Sequence, residues 1–196
     1  MKKLIFPAIL LVGLGSCSKS ATDTVGEQNK ALVQKYVDAV VKGDTSNLES
    51  FLADNFMDHG PARSDSSNRQ KTVDNFKNNW RDSWASLNFD QAAIHAFTLA
   101  PGEKSAGDWV GVWGTFTLNY KNATPSVTVD WHGVYRVKQS KIDLGFQFFN
   151  VLDMLVQQGY KVTPPAPKAV KPKEIKKKAL TKKEAREAKK KAAKKK

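Results

Sequence analysis

The sequence has a single cysteine, Cys17, and only three histidines among its 196 residues. One cysteine excludes an intrachain disulfide, so the fold must be stabilised by its hydrophobic core alone. The histidines, His59, His95 and His132, are not spaced as metal ligands in patterns such as H-x-x-x-H or H-x-H, and we expect no metal site. Glycine-rich phosphate-binding motifs and a nucleophile elbow are also missing, so the sequence predicts no cofactor.

Long hydrophobic runs are missing as well, apart from residues 4–14 near the N-terminus. This run follows two lysines and is too short to span a bilayer permanently, which is typical of a signal peptide over residues 1–16. The sequence LGSC at residues 14–17 resembles the bacterial lipobox, whose cysteine is acylated, for example with palmitate. We therefore expect a lipoprotein of the cell envelope, anchored to a membrane through Cys17 and facing the periplasm or the cell surface. The alternative is an ordinary secretory signal with a chance cysteine.

Net positive charge is confined to the C-terminal end of the chain. Residues 161–196 contain 16 of the 32 basic residues and 3 of the 19 acidic residues, a net charge of +13 that equals the charge of the whole chain. This distribution excludes a nucleic-acid-binding domain with a basic folded face. The Lys/Ala-rich segment from residue 168 is either a solvated tail or contacts an anionic lipid, lipopolysaccharide or a cell-wall polymer. Were the signal peptide not used, this tail would bind nucleic acid without sequence preference.

The composition predicts one folded domain over residues 27–160. A short polar tether, residues 17–26, precedes this domain. A proline-containing linker and the basic tail, residues 161–196, follow it. At this length a domain buries enough surface to fold without disulfides.

The spacing of apolar residues changes once along the domain, from helical to strand-like. Spacings of three and four residues predict three helices, and alternation predicts the strands that follow. Helices followed by an antiparallel meander indicate an α+β domain with helices on one sheet face. The predicted helices cover residues 27–42, 48–52 and 73–87, and the strands cover 56–59, 92–99, 109–120, 127–138 and 142–150. In the last strand Ile142, Leu144, Phe146 and Phe148 are expected to share one face.

Three short motifs are similar to those of a known family. The sequence FMDHGP at residues 56–61 resembles F-x-D-H-x-P, and residues 135–142 resemble a conserved hairpin. Residues 150–159 resemble the closing motif D-x-x-x-l-l-x-Q-l-G. In this order, the motifs resemble the nuclear transport factor 2-like (SnoaL-like) family over residues 27–160. The resemblance implies a cystatin-like cone with three N-terminal helices packed on a curved antiparallel sheet, an open mouth, and a homodimer formed through the sheet.

The sequence departs from the family along its last predicted strand. Leu144, Phe146 and Asn150 stand where family members carry Glu, Trp and Asp, and Ser140 replaces the hairpin glycine. In SnoaL-like cyclases the aspartate at the Asn150 position is the expected acid/base, and an amide cannot exchange a proton near neutral pH. We therefore expect a non-catalytic protein that binds a small hydrophobic ligand or mediates association.

Asp58 and His59 are the acid/base candidates for the alternative function, a SnoaL-like isomerase, cyclase or hydrolase. A histidine held in one tautomer by a carboxylate acts as a base near neutral pH. Adjacent residues of a strand point to opposite faces, however, so we expect no direct pairing of these side chains. The alternative for His59 is a structural hydrogen bond at the mouth of the domain.

Aromatic residues are the strongest remaining indication of a binding site. They either line an apolar cavity between helix and sheet or pack as ordinary core. A cavity would take a small, mostly apolar ligand. The expected pocket residues are His59, Trp80, Trp84, Trp113, Trp131, Tyr135, Phe146, Phe148 and Asn150.

Overall fold

The computed structural model describes residues 21–122, 124–165 and 190. The chain divides into two units, Met1–Val162 and Thr163–Lys196. The predicted signal peptide, Cys17 and most of the basic tail lie outside the described residues. In the second unit, the described residues 163–165 form neither helix nor strand.

The described part of the first unit is a mixture of helices and strands, which confirms the predicted α+β class. A π-helical turn, Asn79–Ser83, lies between the third helix and the third strand. The helices are α1 Ala21–Lys42, α2 Leu48–Phe51, α3 Arg69–Asn78 and α4 Val151–Gln157. The strands are β1 Leu52–His59, β2 Ser66–Asn68, β3 Trp84–Leu99, β4 Gly107–Tyr120, β5 Val127–Lys138 and β6 Lys141–Phe149.

The first helix, α1, is amphipathic and packs its apolar stripe on the sheet. Val33, Tyr36 and Val40 recur at helical spacing and are buried in the core. The helix begins at Ala21, inside the predicted tether. It is followed by Gly43, whose φ of 71° lies in the left-handed region that glycine adopts without steric cost. A side chain at Gly43 would also collide with the ring of Trp80.

The strands form one curved sheet in the order β2-β1-β6-β5-β4-β3. All neighbouring strands are antiparallel except β1 and β6, which are parallel. Helix α1 packs against β3 and β4, and α3 packs against β1. We call the face toward these helices the inner face, represented by Val112 and Tyr135, and the opposite face the outer face, represented by Trp113 and His132.

The third helix is shorter than predicted. Spacing of three and four residues predicted one helix up to residue 87, but α3 ends at Asn78, and Trp84 and Leu87 belong to β3. That strand is 16 residues long and pairs with β4 from Trp84 to Leu99. The helical prediction was wrong from Trp84 onward, because this non-local pairing outweighs the local periodicity.

A β-bulge at Asp143 interrupts the alternation of β6. Asp143 is an extra residue between Ile142 and Leu144 with no partner in β5. Its carboxylate accepts two hydrogen bonds of 2.8 Å from the guanidinium of Arg136. The prediction that the apolar residues 142, 144, 146 and 148 of β6 share one face is therefore wrong. Ile142 lies on the inner face, whereas Leu144 and the two phenylalanines at 146 and 148 lie on the outer face.

Candidate functional site

An apolar cavity lies between the helices and the inner face of the sheet. Its volume of about 150 Å³ matches an engineered protein cavity that stays dry and binds benzene. The cavity therefore has room for a ligand of about one six-membered ring. Its lining residues are Tyr36, Val37, Val40, Phe76, Trp84, Leu87, Phe116, Leu118, Val129, Trp131, Tyr135, Gln147, Phe149 and Met154.

Gln147 brings a carboxamide into the cavity wall and is hydrogen-bonded at both ends. Its Oε1 accepts a hydrogen bond from Trp131 Nε1 at 3.3 Å, and its Nε2 donates to Asp58 Oδ2. Because donor and acceptor are both engaged, the orientation of the amide is fixed. The hydrogen bonds therefore connect the aromatic wall of the cavity to Asp58.

Asp58 lines a second, polar groove bordered by β1, β2 and α3, with a volume of about 370 Å³. The residue is only 7% exposed, and its Oδ1 has no hydrogen-bond partner. Burial raises the pKa of the carboxyl, and the hydrogen bond from Gln147 and the charge of His59 oppose this only in part. Phe76, Gln147 and Phe149 line both spaces and therefore separate the groove from the cavity.

Two buried tyrosines lie beside Asp58. The rings of Tyr36 and Tyr135 meet edge to face, with centroids 5.6 Å apart. Burial raises the pKa of both phenols well above 10, and the charge of Asp58 adds to this, so both remain protonated at neutral pH. The Tyr36 hydroxyl has no hydrogen-bond partner. Such an atom costs about 1–3 kcal/mol, which a ligand oxygen could recover.

The Asp58 carboxyl and the phenols of Tyr36 and Tyr135 can bind a ligand oxygen atom, and Asp58 can also move a proton. A phenol and a protonated carboxyl each donate a hydrogen bond to a carbonyl or hydroxyl oxygen. As a carboxylate, Asp58 can instead accept a proton, and a raised pKa improves its capacity for both roles. The apolar walls favour a ligand that is otherwise hydrophobic.

Part of the predicted pocket lies at this cavity. Trp80 lies behind the lining, because its Nε1 donates to the backbone carbonyl of Val40 at 2.9 Å and its ring meets Trp84 edge to face. Asn150 caps α4, with its Oδ1 accepting from the backbone N–H of Asp153 at 3.1 Å. The predicted residues that line the cavity are Trp84, Trp131 and Tyr135.

The remaining predicted pocket residues lie on the outer face of the sheet. His59 stacks on Phe146 with centroids 5.1 Å apart, and Trp113 stacks on His132 at 4.5 Å. Phe148 is 52% exposed and lies 5.7 Å from His132. The alternation of side chains along β1 and β4 and the bulge of β6 place these residues on the outer face, away from the cavity. The structure therefore separates Asp58, which is near the cavity, from His59, which is not.

Several residues of the site were not predicted from the sequence. Tyr36 belongs to the apolar stripe of α1, which gives no separate signal for a hydroxyl without a partner. Gln147 and Phe149 reach the inner face only because of the bulge. The isolated polar Gln147 between phenylalanines was the available signal. Met154 was missed because α4 was not predicted.

Within residues 21–122, 124–165 and 190, no three His, Cys, Asp or Glu side chains are grouped so that they could hold a metal ion. No helix in this described part of the chain is both long and apolar enough to cross a membrane.

The chain is similar to a known domain family and to several solved structures. The family model of the SnoaL-like domain matches residues 33–144. An LEH-like epoxide hydrolase of M. tuberculosis superposes with a TM-score of 0.54 at 16% identity, over 68% of this chain and 91% of that one. A Catenulispora acidiphila protein with a ketosteroid isomerase-like fold, in complex with trimethylamine, superposes with a TM-score of 0.54 at 15% identity, over 68% of this chain and 97% of that one.

A third similar structure is a proposed SnoaL-like polyketide cyclase from Shewanella putrefaciens, with a TM-score of 0.55 at 12% identity, over 68% of this chain and 98% of that one. At these identities the likeness shows the fold alone. No curated protein matches the sequence significantly.

Proposed function

The chain belongs to the SnoaL-like domain family, and we propose that its domain binds a small, mostly apolar ligand in the cavity. The observation that carries this proposal is the buried Tyr36 hydroxyl, which has no hydrogen-bond partner in a largely apolar wall. A ligand of about one ring with a carbonyl or hydroxyl oxygen would fill the cavity and satisfy the phenol. Trp84 and Trp131 would contact the ring.

Acid/base catalysis by Asp58 is the second candidate function, as in an isomerase, cyclase or hydrolase. The free Oδ1 and the pKa raised by burial favour Asp58, and the hydrogen bond from Gln147 holds the carboxyl in place. His59 does not support this function, since it stacks on Phe146 on the outer face. The similar structures that carry enzyme names, an epoxide hydrolase and a proposed cyclase, justify testing it.

We also propose that this function takes place at the cell envelope. The support is the lipobox-like sequence before Cys17 and the basic composition of residues 161–196. Since α1 begins at Ala21, four residues from Cys17 span at most roughly 14 Å. A lipid on Cys17 would therefore hold the start of α1 close to the bilayer, and the tail would contact anionic groups there.

The binding proposal is tested with pairs of single-ring compounds that differ by one oxygen, such as p-cresol and toluene. Thermal unfolding is measured with each compound for the wild type, Tyr36→Phe and Phe148→Ala. We expect p-cresol to stabilise the wild type and Phe148→Ala more than toluene does, and Tyr36→Phe to lose this preference. A ligand at 100 times its Kd adds about 2.7 kcal/mol to the free energy of unfolding. Absence of stabilisation by every ring compound would contradict the proposal.

Native mass spectrometry of protein purified from its own cells complements this test by showing whether a small molecule travels with the domain. Ligand uptake without turnover favours the binding protein. Turnover that Asp58→Asn abolishes, with a neutral apparent pKa in the pH–rate profile, favours the enzyme.

A further inference from the structure

The last helix of the domain, α4, carries its apolar side chains on the outside. Leu152 is 51% exposed, Val156 is 53% exposed, and Val151 and Leu155 are exposed as well. None of the helix residues is buried, and Met154 alone of them lines the cavity. A surface helix of a soluble domain normally turns its apolar stripe toward the core, so α4 has the reverse arrangement.

Polar contacts hold α4 against the sheet. The side chain of Gln157 donates to the carbonyl oxygen of Thr128 and accepts from its backbone N–H, both at 2.8 Å. Gln158 Nε2 donates to the Tyr120 hydroxyl at 2.7 Å. These polar contacts attach α4 to the sheet, while its apolar side chains at positions 151, 152, 155 and 156 remain exposed.

The exposed apolar surface continues beyond the helix. Tyr160 and Val162 are 63% and 57% exposed. Residues 151–162 contain one acidic residue, Asp153, and the strongly basic residues 163–196 follow directly in the chain. Apolar side chains next to a dense positive charge are typical of segments that lie in the interface of an anionic bilayer.

We propose that α4 and residues 158–162 form a membrane-contacting surface that inserts its apolar side chains into an anionic lipid interface. A second copy of the chain is a poorer partner, because pairing α4 with α4 would bring together two segments of strong positive charge. Anionic lipid instead attracts that charge while it takes up the apolar side chains.

The test uses the full chain with Cys17→Ser and one new cysteine that carries an environment-sensitive fluorophore. Leu152→Cys and Val156→Cys place the label on α4, and Phe148→Cys places it at an equally exposed site on the outer sheet face. The vesicles contain phosphatidylglycerol and phosphatidylcholine, with or without a doxyl-labelled lipid that quenches at acyl-chain depth. All variants share the same N-terminal apolar segment and tail, so the total binding to vesicles is comparable between them. The position of the doxyl group at acyl-chain depth distinguishes insertion of α4 from adhesion of the tail to the headgroups.

We expect the doxyl lipid to reduce emission at least about twofold at positions 152 and 156, with little change at 148. Vesicles of phosphatidylcholine alone should give much weaker quenching at all positions. Equal quenching at 148 and 152, or none at 152 and 156, would overturn the proposal. A blue shift at 152 that grows with protein concentration without vesicles would show a second copy on α4 and overturn it too. The experiment contains no cavity ligand, so its outcome is independent of the proposed ligand binding.

Discussion

Removal of the Tyr36 hydroxyl should make the ligand-free domain more stable. The hydroxyl is buried without a partner, so Tyr36→Phe removes a desolvation cost of about 1–3 kcal/mol. The phenylalanine ring keeps the edge-to-face contacts with Tyr135 at 5.6 Å and Phe51 at 6.4 Å. At about 2–4 °C per kcal/mol for a domain of this size, the midpoint of thermal unfolding should rise by several degrees.

Tyr120 provides the matched control for this substitution. Its hydroxyl accepts a hydrogen bond from Gln158 Nε2 at 2.7 Å. Tyr120→Phe removes that bond and should lower the free energy of unfolding by about 0.5–1.5 kcal/mol. The same chemical change is therefore expected to have opposite signs at positions 36 and 120.

Urea unfolding at pH 7, followed by circular dichroism, measures both variants against the wild type. A decrease in stability for Tyr36→Phe as large as that for Tyr120→Phe would refute the reasoning, because the hydroxyl at position 36 would then have a partner in the folded protein. The stabilised variant should also bind an oxygen-bearing ring compound more weakly than the wild type. Stability gained together with affinity lost would identify Tyr36 as a binding residue.

Four further predictions concern other parts of the chain. Burial raises the pKa of Asp58 above its unfolded value, so its contribution to stability is lost as pH rises through the folded pKa. Asp58→Asn should therefore raise the free energy of unfolding more at pH 7 than near pH 3, measured by urea unfolding; an equal gain at both pH values would contradict this. Cys17→Ser should release soluble protein or leave the precursor unprocessed in cell fractionation, and unchanged membrane association would refute lipidation. Deletion of residues 168–196 should leave thermal unfolding unchanged and weaken binding to anionic vesicles at low salt; an unfolded product would mean that the tail docks on the domain. Phe148→Asp should convert a sheet-paired dimer to monomer in analytical ultracentrifugation, and a wild-type monomer at high concentration would rule out that pairing.

The sequence predicts the later strands well, because their signals are local. The strand β5 has the predicted bounds, Val127–Lys138, and β4 and β6 differ from prediction by no more than two residues at either end. Alternation of apolar residues between clear turns is enough to define such strands. The start of β3 was missed because Trp84 pairs with Tyr120 at the far end of β4, and such a distant partner leaves no trace in local spacing.

The candidate site depends on the β-bulge in β6, which a regular pattern of alternation does not predict. Because side chains alternate with a period of two, one inserted residue exchanges the inner and outer sets of a strand. Asp143 is that residue, and its ion pair with Arg136 across the hairpin stabilises a carboxylate that is only 5% exposed. Simple alternation from Ile142 selects Phe146 and Phe148 as pocket residues.

The bulge instead places Gln147 and Phe149 on the inner face. Gln147 is the residue that joins the Trp131 indole to the carboxyl of Asp58. If β6 paired with β5 in regular alternation, with Asp143 taking part in the pairing, Phe146 would oppose Gly133 in place of Gln147, and the hydrogen bond from the Gln147 amide to Asp58 would be lost. The polar connection between cavity and groove therefore depends on the bulge of β6. Asp58 was predicted from its side-chain chemistry, whereas its partner Gln147 was not, because simple alternation does not predict a bulge.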